Sequence, residues 1–409
     1  MYFIIICYII KYLKDTKNVL QLMYIYNFLI EWSVFMKKLG FGMMRLPLLD
    51  VNDQTAIDFE QVNKMVDRYL EMGFNYFDTA YMYHNYTSEL AVKKCLVERH
   101  PRESYLLADK LPTFFLKEEA DNERIFNEQL SKCGVEYFDY YLLHCLNVGN
   151  VETCNKCNSF EFAKSLKDNG RVKNIGFSFH DTAEVLDRIL SEHKFFDFVQ
   201  LQINYLDWEN PDIQSRLCYE VAVKHGVDVI VMEPVKGGKL ANVPVAAAEL
   251  MKNFNPDASI ASWSVRYAAS LDKVIMVLSG MSNLSQLEDN TNYMVDFNPI
   301  TKEEQEIINK ATVIINAADL IACTSCKYCV EGCPMNIAIP DYFTLFNTVK
   351  EKGKINAYAG AKADFDSLAN EYGLPSSCIS CRQCETACPQ HLRIVEHLGS
   401  VAKMFEDKK

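Results

Sequence analysis

The chain has 409 residues, of which 49% are hydrophobic and 23% charged, with a formal net charge of −12. Such a composition is globular and can fill a large core, and the length exceeds one ordinary compact domain. No Lys/Arg-rich run is present, which excludes a nucleic-acid surface. Fifteen cysteines without a cleavable signal argue against a secreted disulfide framework and for metal in a reducing compartment, the cytoplasm.

Residues 1–35 read apart from the rest. Residues 1–10 are almost wholly apolar, 11–18 are polar, and 19–35 are apolar again but include Gln21, Asn27 and Glu31. A spanning helix wants about 20 apolar residues, which neither run reaches, and no small-residue cleavage site follows. The expectation is a start codon assigned too far upstream, with a membrane-associated anchor as the alternative; no span is expected in the core protein.

From Leu39 onward, β-branched and aromatic runs at 39–42, 75–79, 105–110, 140–144, 174–178, 199–204, 228–234 and 273–280 alternate with amphipathic stretches such as 59–72, 122–133, 183–191 and 213–225. Strand–helix alternation repeated eight times implies a parallel sheet. The span 36–300 suits a closed (β/α)₈ TIM barrel, typically about 250 residues. A doubly wound open sheet is the alternative, but no G-x-G-x-x-G turn follows the first strand. The predicted organisation is an apolar extension over 1–35, a barrel over 36–300, and a linker helix with a small, mainly helical ferredoxin-type domain over 301–409.

That last region carries one cysteine spacing twice. Cys323, Cys326, Cys329 and Cys333-Pro334 spell C-x₂-C-x₂-C-x₃-C-P, and Cys378, Cys381, Cys384 and Cys388-Pro389 spell it again. This is the run that ligates paired [4Fe–4S] clusters, the fourth cysteine of each run reaching the other cluster. Cys323, Cys326, Cys329 and Cys388 are therefore assigned to one cluster, and Cys378, Cys381, Cys384 and Cys333 to the second. Zinc is the alternative for thiolates at C-x₂-C spacing, but it does not call for two complete runs each ended by proline. The segment 342–372 reads as helical, and the region resembles the alpha-helical ferredoxin modules of larger oxidoreductases.

Barrel active sites lie at the C-terminal ends of the strands. The sequence places Asp78, Lys110, His144, Ser178, Gln200, Asn204 and Glu233 there, with Tyr83 in the loop after the second strand. Phe77-Asp78-Thr79-Ala80 followed by Tyr83 resembles the D-T-A-x-x-Y segment of the aldo/keto reductase family. Ala108-Asp109-Lys110, Leu142-Leu143-His144 and Gly176-Phe177-Ser178 are similar to its other strand-end landmarks, in the same order over about 38–295.

The resemblance implies a tetrad of Asp78, Tyr83, Lys110 and His144, with Tyr83 the general acid that protonates a carbonyl oxygen as hydride arrives from a nicotinamide. A free phenol, with its pKa near 10, is a poor donor at neutral pH; an adjacent Lys110 ammonium is expected to lower it. Asp78 keeps Lys110 charged and aimed, and His144 can donate a hydrogen bond where negative charge develops.

The same resemblance implies that Ser178 and Gln200, with Asn204, hold the nicotinamide carboxamide. It also implies that Ser279-Gly280-Met281-Ser282-Asn283, with Gln286 and Asn290, forms the adenosine-phosphate site at a helix N-terminus. The chain departs from the family at two places. Gln286 stands where an arginine for a 2′-phosphate would, and Met232 where an aromatic ring often stacks on the nicotinamide, leaving NADPH and NADH both open.

Cys154 and Cys157 form a lone C-x-x-C outside a thioredoxin-like context, and Cys145 reads as a packed side chain. The leading expectation is an enzyme acting on a small carbonyl substrate. An electron-transfer protein with the barrel as docking scaffold, and clusters serving only as structural staples, are the alternatives. Hydride carries two electrons and each cluster takes one; coupling them needs a converter such as a flavin, and no flavin site is legible. The clusters are thus expected to serve a separate electron-transfer partner or the fold.

Overall fold

The structure, a computed structural model, describes residues 37–318, 320–352 and 354–406, so the expected extension over 1–35 lies outside the described residues. Eight strands close into a barrel in chain order. They are β1 Leu39–Gly42, β2 Tyr76–Asp78, β3 Leu106–Leu111, β4 Phe138–Leu146, β5 Val172–Phe179, β6 Phe198–Gln202, β7 Asp228–Met232 and β8 Val274–Ser279. All neighbouring pairs are parallel, and closure is made where Leu39 meets Val277 and Phe41 meets Ser279.

The strands are apolar on both faces because both faces are covered. Outward residues such as Phe41, Phe77, Leu107, Tyr141, Val199 and Val277 join the helices in one core. Inward residues fill the lumen: Tyr76, Ala108, Tyr140, Leu142, Phe198, Ile230, Met276 and Leu278. Tyr140 packs edge-on against Tyr76 at 5.0 Å and against Phe198 at 5.3 Å between ring centroids. Gly176 is required by this filling, since a Cβ there would lie 2.5 Å from the Phe198 carbonyl oxygen. The lumen is filled, and the polar strand ends stand above it.

Several helices begin at side-chain caps. Asp58 accepts from Gln61 N before Phe59–Glu71, and Asn283 accepts from Gln286 N before Leu284–Val295. Thr301 and Glu304 form a capping box at Lys302–Ala317. This last helix, expected as a linker, packs through Ile308 and Ala311 against Ala247, Met251 and Trp263 of the barrel. Glu304 also pairs with Arg266 at 2.7 Å. By its contacts it goes with the barrel, and the chain leaves the barrel only beyond Ala317.

Beyond it, helices Ile339–Lys352, Lys354–Glu371 and Ile394–Phe405 surround a small core that includes Tyr342, Phe343, Phe365, Leu398, Val401 and Phe405. The region sits on the C-terminal ends of the strands. Arg45 donates to the Thr324 carbonyl at 2.7 Å, and Lys239 donates to that of Ile321. Gln202 and Gln390 exchange two amide hydrogen bonds of 2.9 Å. Among the described residues no helix is long and apolar enough to cross a membrane.

Candidate active site

Side chains on a strand alternate, so residues two apart share a face. Counting up from the lumen, Tyr76 is followed by Asp78, Ala108 by Lys110, and Leu142 by His144. Phe198 is followed by Gln200, and Ile230 by Met232. The register pairs Asp78 with Ala108, Lys110 with Leu142, and Ser178 with Gln200. The barrel's own pattern thereby delivers one ring of polar groups just above its apolar plug.

The centre of that ring is the Lys110 ammonium, which is 1% exposed. It donates to Asp78 Oδ1 at 2.6 Å and to the Thr79 carbonyl at 2.6 Å, and approaches the Tyr83 hydroxyl at 3.5 Å. Three donors meet three acceptors. Burial holds the Asp78 carboxyl above its ordinary value, with the Lys110 ammonium opposing.

Tyr83 is not on a strand and is fixed from behind. His84, Asn85 and Tyr86 are all left-handed, with φ of 52°, 49° and 69°. The His84 ring holds this turn: Nε2 accepts from Leu46 N at 3.1 Å, and Nδ1 lies 3.0 Å from the Gln54 carbonyl. Three strained non-glycine residues beside the candidate acid mark a conformation imposed by its surroundings.

His144 lines the same cavity, and its ring lies edge-on to Tyr83 at 6.3 Å. Burial first, then Lys110, holds it well below the usual histidine range and therefore neutral. Its Nδ1 is buried without a partner among the described residues, as is Asp78 Oδ2. A register shift follows in β4, and Cys145 is left-handed at φ 62°. Its N–H donates to Ser178 Oγ at 2.7 Å, so the irregularity re-aims this strand end.

One expectation is corrected. Lys110 was expected to lower the Tyr83 phenol, but burial, with Asp78 and Glu233 adding to it, holds that phenol well above its ordinary value. The ammonium is committed to Asp78 and the Thr79 carbonyl, and its 3.5 Å approach to Tyr83 is the longest of its three.

The cavity above the ring, about 430 Å³, runs from Asp78, Tyr83 and His144 past Ser178, Gln200 and Met232 to Ser279, Gly280, Ser282, Gln286 and Asn290. At its far end Gln286 Oε1 accepts from Ser282 N at 2.8 Å, and Asn290 donates to Ser279 Oγ at 2.8 Å. Four sequence candidates do not line it: Lys110, which lies beneath, Asn204, Met281 and Asn283. Asn204 is buried and donates to Asp207 at 2.7 Å and to the Glu233 carbonyl at 3.1 Å. Met281 is packed in the core. Conversely, Arg45 and Asp289 line the cavity without having been singled out. Arg45 follows β1 in a short 3₁₀ turn, and no strand-end alternation points to it.

The eight cysteines surround two further hollows. One is lined by Cys323, Cys326, Cys329 and Cys388 with Ile339, Phe343, Leu392 and Ile394. The other is lined by Cys333, Cys378, Cys381 and Cys384 with Ile337, Ile339 and Leu398. Each set thus combines three cysteines of one run with the fourth of the other. Among the described residues no three His, Cys, Asp or Glu side chains gather tightly enough to hold a single ion.

The two loops also repeat in backbone. Ser325, Lys327 and Asn336 are left-handed in the first run, and Ser380, Arg382 and His391 stand at the matching positions of the second. Alternating left- and right-handed residues turn successive N–H groups into concave anion-binding nests. A four-cysteine hollow with apolar walls fits a multinuclear iron–sulfur group. Cys154 and Cys157, by contrast, are both buried in the barrel core, and burial pushes the Cys154 thiol up to about 12.

Comparison with known proteins identifies both regions of the chain. The profile of the 4Fe-4S dicluster domain matches residues 322–392. An uncharacterized oxidoreductase of Bacillus subtilis, YqkF, is 22% identical over 280 residues, 61% of this chain and 86% of that protein. The holo form of an aldo-keto reductase from Bacillus halodurans superposes with a TM-score of 0.55 at 23% identity, over 67% of this chain and 91% of that one. An aldo-keto reductase from Klebsiella pneumoniae in complex with NADPH gives 0.53 at 17% identity, over 67% and 90%. The aldo/keto reductase family profile matches residues 38–312; the chain belongs to that family, as an NAD(P)H-dependent oxidoreductase.

Proposed function

We propose that the barrel reduces a small aldehyde or ketone, or oxidises the matching alcohol, and that the C-terminal region carries two [4Fe–4S] clusters. The observation that carries the reading is the buried Lys110 ammonium shared by Asp78, the Thr79 carbonyl and Tyr83 beneath one cavity. A reduced nicotinamide, when bound, supplies the hydride. Ser178 and Gln200 would hold its carboxamide end, and Ser279, Gly280, Ser282, Gln286 and Asn290 its phosphate end.

The chain's own groups do the rest. Tyr83 donates its proton to the carbonyl oxygen, and a phenol held high by burial stays protonated until that oxygen gains charge. As the phenolate forms, the Lys110 ammonium stabilises it across a short buried distance, where charge attraction is strong. Neutral His144 offers a second hydrogen bond to the same oxygen. The missing basic residue at Gln286, together with Asp289 in the lining, supports NADH over NADPH.

The second hollow supports a separate one-electron partner. Cys381 is exposed, and neighbouring Ile379 is 60% exposed, so this edge is open to a docking protein. Anaerobically prepared protein assayed with a carbonyl panel and both nicotinamides tests the reading. About eight iron and eight sulfide per chain and carbonyl-dependent NADH oxidation are expected. Bound zinc without sulfide, or no turnover with any carbonyl, overturns the respective half.

A further inference from the structure

The wall of the active-site cavity is not made by the barrel alone. Cys326, Tyr328, Pro389 and Gln390 line it together with Asp78, Tyr83 and His144. Barrel sites are ordinarily built by the βα loops of the barrel itself; here a segment far along the chain intrudes. Tyr328 stands between Cys326 and Cys329 of the first cysteine set, next to left-handed Lys327 at φ 65°. Its phenol is within electrostatic reach of Tyr83, Cys145 and Glu233, and no hydrogen bond ties its hydroxyl to another described residue.

The intrusion is fixed from several sides. Arg45 holds the Thr324 carbonyl at 2.7 Å. Gly237, left-handed at φ 64°, makes room for the same residue, since a Cβ there would lie 2.7 Å from Thr324 Cα. Behind the second contributing segment, Gln390 is locked to Gln202 by two hydrogen bonds and accepts from Lys236 at 3.1 Å. Lys236 is itself paired with buried Asp207 at 2.6 Å. A surface touching by accident would not need a glycine cradle and a buried amide–ion network.

We propose that Tyr328 is a specificity-determining residue of the barrel site, so that the first cysteine loop forms a working wall of the substrate pocket. This rests on the carbonyl-reductase reading above. The phenol ring limits the bulk admitted beside Tyr83. Its uncommitted hydroxyl favours small carbonyl compounds with a polar group next to the C=O, such as hydroxyaldehydes, over alkyl aldehydes of equal length. Removing a group that pairs with a substrate hydroxyl leaves that hydroxyl unsatisfied, which is the origin of the discrimination.

The test uses the full, cluster-loaded chain with a hydroxyaldehyde, its alkyl analogue and a bulky aromatic aldehyde, measuring kcat and KM alongside iron content and nicotinamide affinity. Tyr328→Phe is expected to lower kcat/KM for the hydroxyaldehyde about 3- to 10-fold relative to its alkyl analogue. Tyr328→Ala is expected to shift the bulky-to-small ratio about 10-fold or more towards bulk. Iron and nicotinamide affinity should match the parent in both. Unchanged ratios with intact iron and nicotinamide binding would overturn the assignment.

A readout without turnover keeps the two readings apart. In the Tyr328→Trp chain, the added indole emission should be quenched by energy transfer to bound NADH or NADPH. A parent that reduces no carbonyl, with this quenching present, sinks the carbonyl reading but supports the wall. No quenching in nicotinamide-saturated protein sinks the wall.

Discussion

The barrel and the cysteine-rich region hold their functional groups in opposite ways. In the barrel, Asp78, Lys110 and His144 stand at ends of a hydrogen-bonded parallel framework over a lumen filled by aromatic and aliphatic side chains. In the C-terminal region the cysteines lie in irregular loops with left-handed non-glycine residues, and they belong to the small core themselves. Cys329 and Cys384 are buried in it, and Cys323, Cys333, Cys378 and Cys388 pack against it. The first region shapes its site from strand ends; the second, on the proposed reading, takes two clusters in among its core side chains. Stability and cofactor loading should therefore separate.

Removing a cluster ligand is the strongest way to break this contrast. Cys329→Ser should lower iron from about eight to about four per chain and make the C-terminal region protease-sensitive, because binding energy there is folding energy. The barrel's cooperative thermal transition should persist. Joint collapse of both regions would show that the barrel also depends on the clusters.

Next in size is the join between the regions. Lys236 is buried and neutralises Asp207 at 2.6 Å while holding Gln390. Lys236→Met leaves Asp207 uncompensated, which typically costs about 3–5 kcal/mol and should appear as a lowered denaturant midpoint. Little or no change would mean that the pair is not buried from water in solution.

The pH dependence sharpens the account of Tyr83. Its pKa is raised, so the protonated form persists as pH rises. Reduction, which uses the protonated phenol, should stay level from about pH 6 to 9, while alcohol oxidation, which needs the phenolate, should climb by about tenfold per pH unit. A fall in reduction near neutrality would point to a lowered phenol instead.

The smallest expected effect concerns the nicotinamide. Gln286→Arg adds a cation at the far end of the cavity, near Asp289. A single charge-assisted hydrogen bond should improve NADPH affinity about 10-fold and leave NADH nearly unaffected, as measured by nicotinamide fluorescence.

The two regions also differed in how much of them could be read. Cysteine spacing specifies a ligand set directly, and each hollow is lined by the four cysteines the spacing assigns to it. Strand ends were legible because period-two alternation carries each lumen residue to a partner one layer up, as Tyr76 to Asp78 and Ala108 to Lys110. What escaped depends on loops and on contacts between distant segments. The His84 prop behind Tyr83, the left-handed Cys145 and the grip of Arg45 on Thr324 leave no periodic trace. Asn204 had the right parity, but a local Asp207 turn claims its side chain. The Tyr83 shift was misjudged because burial, invisible in sequence, outweighs the neighbouring ammonium.

The proposed chemistry stands or falls on one hydroxyl. Tyr83→Phe keeps the ring and removes the proton source, so it isolates general acid catalysis from packing. Stopped-flow single-turnover oxidation of bound NADH, with a carbonyl that the parent reduces, should slow by about 10²–10⁴-fold with nicotinamide affinity nearly unchanged. A rate equal to the parent's with every working substrate would contradict aldo/keto reductase chemistry in this barrel.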